Sequence, residues 1–177
     1  MIERVKAAIR EVKDFPKPGI GFKDITPVVQ DAVLFKFVID RLGSWGREKK
    51  AEIVIGIESR GFLFAAPVAY ELGLGMSIIR KKGKLPCKTV SVVAPNEYAV
   101  EQFEMHADGI NPGQRVLIID DLIATGSSTI SAVNLVTKLG GTVAGFGALV
   151  ELGFLGGRKN IKTAHPGLDV FSLVKFD

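Results

Sequence analysis

The sequence predicts an α/β protein with a central, mostly parallel sheet flanked by helices, and three observations carry that prediction. Short apolar runs recur at residues 53–57, 77–79, 116–119 and 142–150, as expected of strands buried on both faces. Segments with helical spacing alternate with them, the order that favours parallel neighbours. Turn signals such as Asn111-Pro112-Gly113 separate the segments.

Taken in order, Ile2, Val5, Ala8, Ile9 and Val12 recur at helical spacing, which predicts an amphipathic N-terminal helix. Two prolines and a glycine in Asp14-Phe15-Pro16-Lys17-Pro18-Gly19 end it. Residues 20–26 have no long period and are open to two readings: a connector whose Phe15 and Phe22 plug the core, or a functional loop. A second helix is expected over about 32–50, striped by Leu34, Val38, Leu42 and Trp45. The strand at 53–57 ends at Glu58-Ser59-Arg60-Gly61, and a helix over 62–72 follows, closed by Gly73 as a C-cap. The strand at 77–79 runs into Arg80-Lys81-Lys82-Gly83-Lys84. Residues 89–94 and 98–105 predict two strands joined by Pro95-Asn96-Glu97, with Phe103 and Met105 on one face of a half-exposed antiparallel hairpin. The strand at 116–119 ends at Asp120-Asp121, followed by the small-residue loop Ala124-Thr125-Gly126-Ser127-Ser128 and a helix over 129–139. Residues 142–150 and 169–174 supply the last strands.

A chain of 177 residues is most simply one domain, 1–177, with residues 1–30 as an N-terminal helix and loop. Apolar content of 47% and charged content of 24% suit a globular protein. The net charge of +4 fits either nucleic acid or a polyanionic small substrate. A lone cysteine, Cys87, excludes an intrachain disulfide framework and fits a reducing compartment. No stretch approaches the roughly 18 apolar residues of a membrane span, and the start is no signal peptide. A cytoplasmic protein without a membrane partner is expected.

Three strand ends carry chemistry. Arg60 follows one, the cluster Arg80, Lys81, Lys82 and Lys84 another, and the acidic pair with its loop the third. The basic cluster is either a solvated loop or a pyrophosphate site, where a guanidinium grips two oxygens and an ammonium adds point charge. In the loop, backbone N–H groups around Gly126 and the following helix start would face an anion. The spacing is not that of a Walker loop. Carboxylates accept from two vicinal hydroxyls, so Asp120 and Asp121 fit a ribose diol, though each alone could be a structural cap. Successive strand side chains point to opposite faces, so the pair converges only if the strand has ended there.

The stretch V-L-I-I-D-D-L-I-A-T-G-S-S-T resembles the phosphoribosyl-pyrophosphate motif of the type I phosphoribosyltransferases. D-F-P-K-P-G-I-G-F-K-D-I-T-P, E-S-R-G-F-L-F, I-R-K-K-G-K-L-P and N-E-Y extend the likeness, in order and spacing, to the branch acting on adenine. The resemblance implies that family's fold with a small N-terminal hood over the base site. It also implies transfer of ribose 5-phosphate from phosphoribosyl pyrophosphate to adenine, giving AMP and pyrophosphate. Ala124, Thr125, Gly126, Ser127 and Ser128 would hold the 5′-phosphate, and Asp120 and Asp121 the ribose hydroxyls. Arg60, Arg80 and Lys84 would meet the pyrophosphate, with Ser59 contributing through its backbone and Lys81 among the substrate-binding residues. Phe22 and Lys23 would border the adenine, Tyr98 would join the substrate contacts, and Glu97 would act as acid or base at the purine ring. Mg2+ would ride mainly on the substrate's oxygens, with no protein metal cage, and a homodimer is implied.

Ala124 resembles, by position, an aspartate that faces the purine N7 in family members acting on 6-oxopurines. Alanine cannot do that job, which favours adenine. The chain departs from the family pattern at Ser127, where glycine is usual, at Lys23, where arginine is usual, and around Glu97. Ser127 therefore demands a backbone angle open to a non-glycine residue. A transferase for another base, and a regulator that senses phosphoribosyl pyrophosphate without transfer, are the alternatives. The basic residues form no stripe with aromatics, which argues against nucleic acid.

Overall fold

The computed structural model describes residues 1–94 and 101–177, which form a seven-stranded sheet and a separate two-stranded ribbon. The N-terminus departs from the expected long helix. Helix α1 (Ile2–Ala8) stops where Ile9 turns extended, and β1 (Arg10–Val12) pairs antiparallel with β2 (Phe22–Asp24). Arg10 sits opposite Asp24 in this ladder, and its Nη2 reaches the Asp24 carboxylate at 2.6 Å. The ladder and this ion pair displace the helical continuation that the spacing of Ile9 and Val12 suggested. Residues 20–26 are therefore half of a ribbon, neither plain connector nor free loop.

Asp24 also accepts the Thr26 N–H at 2.9 Å, which starts α2 (Thr26–Gln30). Asp31 caps α3 (Ala32–Glu48) by accepting from the N–H groups of Val33 and Leu34. Then come β3 (Ile53–Ile57), α4 (Gly61–Leu72), β4 (Gly75–Lys81), β5 (Thr89–Val93) and β6 (Gln102–His106). Gly73 closes α4 at φ 68°, the left-handed C-cap that the glycine announced. The chain continues with β7 (Arg115–Ile123), α5 (Ser127–Lys138), β8 (Thr142–Leu152), α6 (Gly157–Ala164) and β9 (Val170–Phe176).

The strand order is β5-β6-β4-β3-β7-β8-β9. The pairs β4–β3, β3–β7, β7–β8 and β8–β9 are parallel, while β6 runs antiparallel to β4 and β5. Alternation divides each buried strand between two cores. Val116 and Ile118 pack with α5, whereas Leu117 and Ile119 pack with α3 and α4. On β8, Gly145 and Gly147 admit Trp45 of α3, because an added Cβ would lie 2.8 and 2.9 Å from its ring. From β3 the chain winds one way into β4 and returns to place β7 on the other side. The crevice beyond the carboxyl ends of β3 and β7 is thus a topological switch point, where open α/β sheets hold ligands.

Candidate active site

A cleft of about 470 Å³ occupies this switch point. Its walls come from the ends of β3 (Ser59, Arg60), β4 (Lys81, Lys84) and β7, with the loop 124–128 that follows. The three strand ends singled out in the sequence therefore meet in one place.

The basic wall is organised by a residue the sequence did not single out. Glu58, with its side chain only 7% exposed, accepts from Arg80 Nε at 3.2 Å, the Lys81 N–H at 2.9 Å and Lys84 Nζ at 2.5 Å. Burial raises its carboxyl pKa, but the Lys84 ammonium and the Lys81 N–H outweigh that and hold it below the ordinary value. Arg80 also donates to the Lys84 carbonyl at 3.0 Å, and Lys81 pairs with Glu101 at 2.5 Å. Buried Glu104 accepts the N–H groups of Lys84 and Leu85, each at 3.0 Å. Burial opposes its ionisation too, and the N–H groups of Leu85 and Lys84 bring its pKa down.

The acidic pair corrects one expectation. β7 does not end before Asp120 but continues through both aspartates to Ile123. They nevertheless converge, because Asp120 Oδ1 turns to accept the Asp121 N–H at 2.8 Å. Both reach the start of α4. Asp121 Oδ2 lies 2.8 Å from Arg60 Nε, although this oxygen has no aligned hydrogen-bond donor and the contact is Coulombic. Gly61 leaves room for Asp120, since a Cβ there would sit 2.7 Å from Asp120 Oδ1. Burial, and then the Asp121 charge, push the Asp120 carboxyl well above the ordinary range. Burial raises Asp121 as well, with Arg60 pulling it back.

The loop 124–128 ends at Gly126, whose φ of 87° makes it the N-cap of α5. The positive angle falls on glycine, and Ser127 is the first helical residue with its hydroxyl 2.8 Å from Thr125 Oγ1. The serine that replaces a family glycine thus needs no special backbone angle. Gly126 places no side chain at the N-terminus of α5, where the helix dipole favours negative charge. Helix α6, unanticipated in the sequence, braces the loop from behind. Asn160 Nδ2 donates to the Thr125 carbonyl at 3.0 Å, and a Cβ on Gly157 would lie 2.2 Å from the Ala124 carbonyl oxygen.

The ribbon contributes Phe22, whose ring faces the Arg60 guanidinium at 4.8 Å and Phe15 at 5.2 Å. Neither Phe22 nor Arg80, which is held on Glu58, lines the cleft itself, and Lys23 is turned away from it. Strand alternation turns its ammonium the other way, over the Phe176 ring at 4.4 Å and 3.2 Å from Glu11. Glu97 and Tyr98 lie outside the described residues. Phe103, Leu122 and Thr129 also line the cleft, and as apolar or helix-start residues they carried no distinguishing signal in the sequence. His106 and His165 do not line it.

This geometry has close counterparts. Residues 29–175 match the phosphoribosyl transferase domain family. The adenine phosphoribosyltransferase of Caldicellulosiruptor bescii is 53% identical over 173 residues, covering 98% of this chain and 97% of that protein. The crystal structure of the Thermoanaerobacter pseudethanolicus adenine phosphoribosyltransferase superposes with a TM-score of 0.93 at 46% identity, covering 99% of this chain and all of that one. The Saccharomyces cerevisiae adenine phosphoribosyltransferase, crystallised with an imino-altritol bisphosphate and adenine, superposes at 0.87 with 35% identity and 97% coverage of each chain. The fold is therefore shared along almost the whole chain, and the chain belongs to the adenine phosphoribosyltransferases of the phosphoribosyl transferase domain family.

Proposed function

We infer that the protein transfers the 5-phosphoribosyl group from phosphoribosyl pyrophosphate to adenine, forming AMP and releasing pyrophosphate. The observation that carries this is the order of groups along one cleft: anion-binding loop, buried acidic pair, basic turn. That order matches the order of phosphate, ribose and pyrophosphate along the donor. Relatives of nearly equal length, at about half identity, bear the same activity in their names.

In this reading the loop 124–128 holds the 5′-phosphate through backbone N–H groups and the Thr125, Ser127 and Ser128 hydroxyls. Asp120 and Asp121 accept from the ribose hydroxyls. Arg60, Arg80, Lys81 and Lys84, with the Ser59 backbone, face the pyrophosphate. A bond forms from adenine N9 to ribose C1 as the C1–O bond to pyrophosphate breaks, its electrons leaving with the oxygen. Positive charges fixed where that negative charge grows lower the barrier. The proton that adenine gives up as the bond forms passes to a base, and Glu97 is the group assigned as acid or base at the purine ring. Residues 1–30 serve as the hood over the base, with Phe22 at its inner edge and Tyr98 among the substrate contacts. Lys23, whose ammonium points away, acts by holding the ribbon on Phe176.

The cleft's charges fit a magnesium ion carried on the substrate. Arg60, Arg80, Lys81 and Lys84 are each paired with Asp121, Glu58 or Glu101, so the protein itself offers little surplus positive charge to a polyanion. Among the described residues no three His, Cys, Asp or Glu side chains gather into a cage, and the unaligned Asp121 Oδ2 is the carboxylate oxygen nearest such a role. When bound, the ion would neutralise part of the donor's charge and favour departure of pyrophosphate. We also assign a homodimer, supported by Leu63 and Tyr70, 45% and 91% exposed on α4, and a cytoplasmic location, supported by the exposed Cys87 thiol.

The test is a base panel: phosphoribosyl pyrophosphate and magnesium with adenine, hypoxanthine, guanine, xanthine or orotate, followed by nucleotide formation. Adenine turnover is expected to dominate. Turnover of hypoxanthine without adenine would reassign the base, and none with any base would favour a sensor of phosphoribosyl pyrophosphate.

A further inference from the structure

We propose that Glu58 is a positioning residue for the pyrophosphate end of the donor, its buried carboxylate assembling Arg80 and Lys84 into a fixed cation pair before substrate arrives. The proposal deepens the phosphoribosyl-transfer reading and rests on it.

The comparison with Glu104 separates a structural carboxylate from this one. Both are buried and both serve the same turn. Among the described residues Glu104 takes neutral donors, the backbone N–H groups of Gly83, Lys84 and Leu85 and the Thr89 hydroxyl, which is how a carboxylate fixes a backbone. Glu58 takes one backbone N–H and two full charges, those of Arg80 and Lys84. It lines the cleft together with Lys84, while Arg80 does not line it and reaches it through Glu58 and the Lys84 carbonyl. Arg80 has a second anchor on the Lys84 carbonyl, whereas among the described residues Glu58 is the carboxylate that pairs with the Lys84 ammonium. Without it the flexible four-carbon stem of Lys84, half exposed, would lose its fixed end. Charges that must first be collected stabilise a leaving anion less than charges already in place.

Glu58→Gln keeps the shape and an acceptor for the Lys81 N–H but removes the charge. The expected result is a loss of about tenfold in kcat/KM for phosphoribosyl pyrophosphate, with KM for adenine nearly unchanged. Magnesium pyrophosphate binding, followed by calorimetry, should weaken in parallel. The variant leaves one more unpaired positive charge, so KM for the donor should depend more steeply on ionic strength. In a Lys84→Gln background the same change should cost much less, because its partner is gone. An unchanged kcat/KM for the donor, or an equal loss in both backgrounds, overturns the proposal. Should Glu58→Gln fail to fold, Glu58→Asp carries the test, since it keeps the charge but withdraws it by one methylene. A donor-specific loss there supports the proposal, and wild-type behaviour overturns it. If wild type turned over no base, yet bound magnesium pyrophosphate more tightly than Glu58→Gln, the transfer reading would fail and the positioning role would stand.

Discussion

Asp120 is held against its own charge. Its carboxyl is buried beside Asp121 and raised well above the ordinary value, so the unfolded chain ionises it at lower pH than the folded one does. A carboxyl raised on folding contributes stability at low pH that is lost as pH climbs through the folded value. Asp120→Asn keeps an acceptor for the Asp121 N–H and removes the repulsion. Ligand-free Asp120→Asn should melt higher than wild type at pH 7 to 8, with the gap closing towards pH 4, while KM for phosphoribosyl pyrophosphate rises. A thermal-shift series across pH checks this, and a variant melting lower at neutral pH would refute it. Glu97 belongs to the same scale. Glu97→Gln should lower kcat by about a hundredfold, the lower range for a proton-transfer group, with KM for both substrates little changed. Near-normal turnover would remove Glu97 from the mechanism. Residue identities at the acidic pair and the loop were legible in the sequence because few combinations of Asp, Gly, Ser and Thr follow an apolar strand. Glu58 was not, because a glutamate after a strand looks the same whether it is solvated or buried among cations.

Elements explain the residues that sequence spacing misassigned. Val12 satisfied a helical stripe, yet three residues of ribbon, locked by Arg10 on Asp24, use it as strand. Asp24 joins this ribbon to α2, and its pKa falls from 3.8 to about 2 because the Thr26 N–H and then the Arg10 guanidinium favour the anion. A lowered carboxyl contributes stability that is complete above the unfolded value and lost as pH falls through the folded one. Between pH 4 and 2 wild type should therefore lose more of its melting temperature than Asp24→Asn does, as a thermal series in acid would show. An equal loss would mean that other carboxylates govern the acid limb. Helix α6 went unseen because its eight residues begin in a Gly-rich run with no long apolar period. It braces the loop 124–128. Asn160→Ala deletes the bond to the Thr125 carbonyl, worth about 0.5–1.5 kcal/mol, and should raise KM for the donor a few-fold. Gly157→Ala should do more, since its Cβ must displace the Ala124 carbonyl. Steady-state kinetics with donor varied at saturating adenine separates the two, and unchanged KM values would detach α6 from phosphate binding.

At the scale of the molecule, parallel strands buried on both faces were plain from unbroken runs such as 116–119, and the hairpin from its alternation. Strand order was not, because nothing local says that β7 lies beside β3 and not beyond β6. That order creates the switch point, and close packing of α3 on β8 supports it. Trp45 fits because Gly145 and Gly147 lack side chains. Gly147→Ala should cost about 1–3 kcal/mol by overpacking, read as a lower urea midpoint with unchanged slope. A midpoint equal to wild type would mean that Trp45 yields freely.

The paired charges of the cleft have a further consequence for the rhythm of turnover. Cations already tied to carboxylates keep their places between one anion and the next. On the proposed reading of the cleft, the site would therefore need no rebuilding between departure of pyrophosphate and arrival of the next donor, and each cycle would begin from the same arrangement of charge.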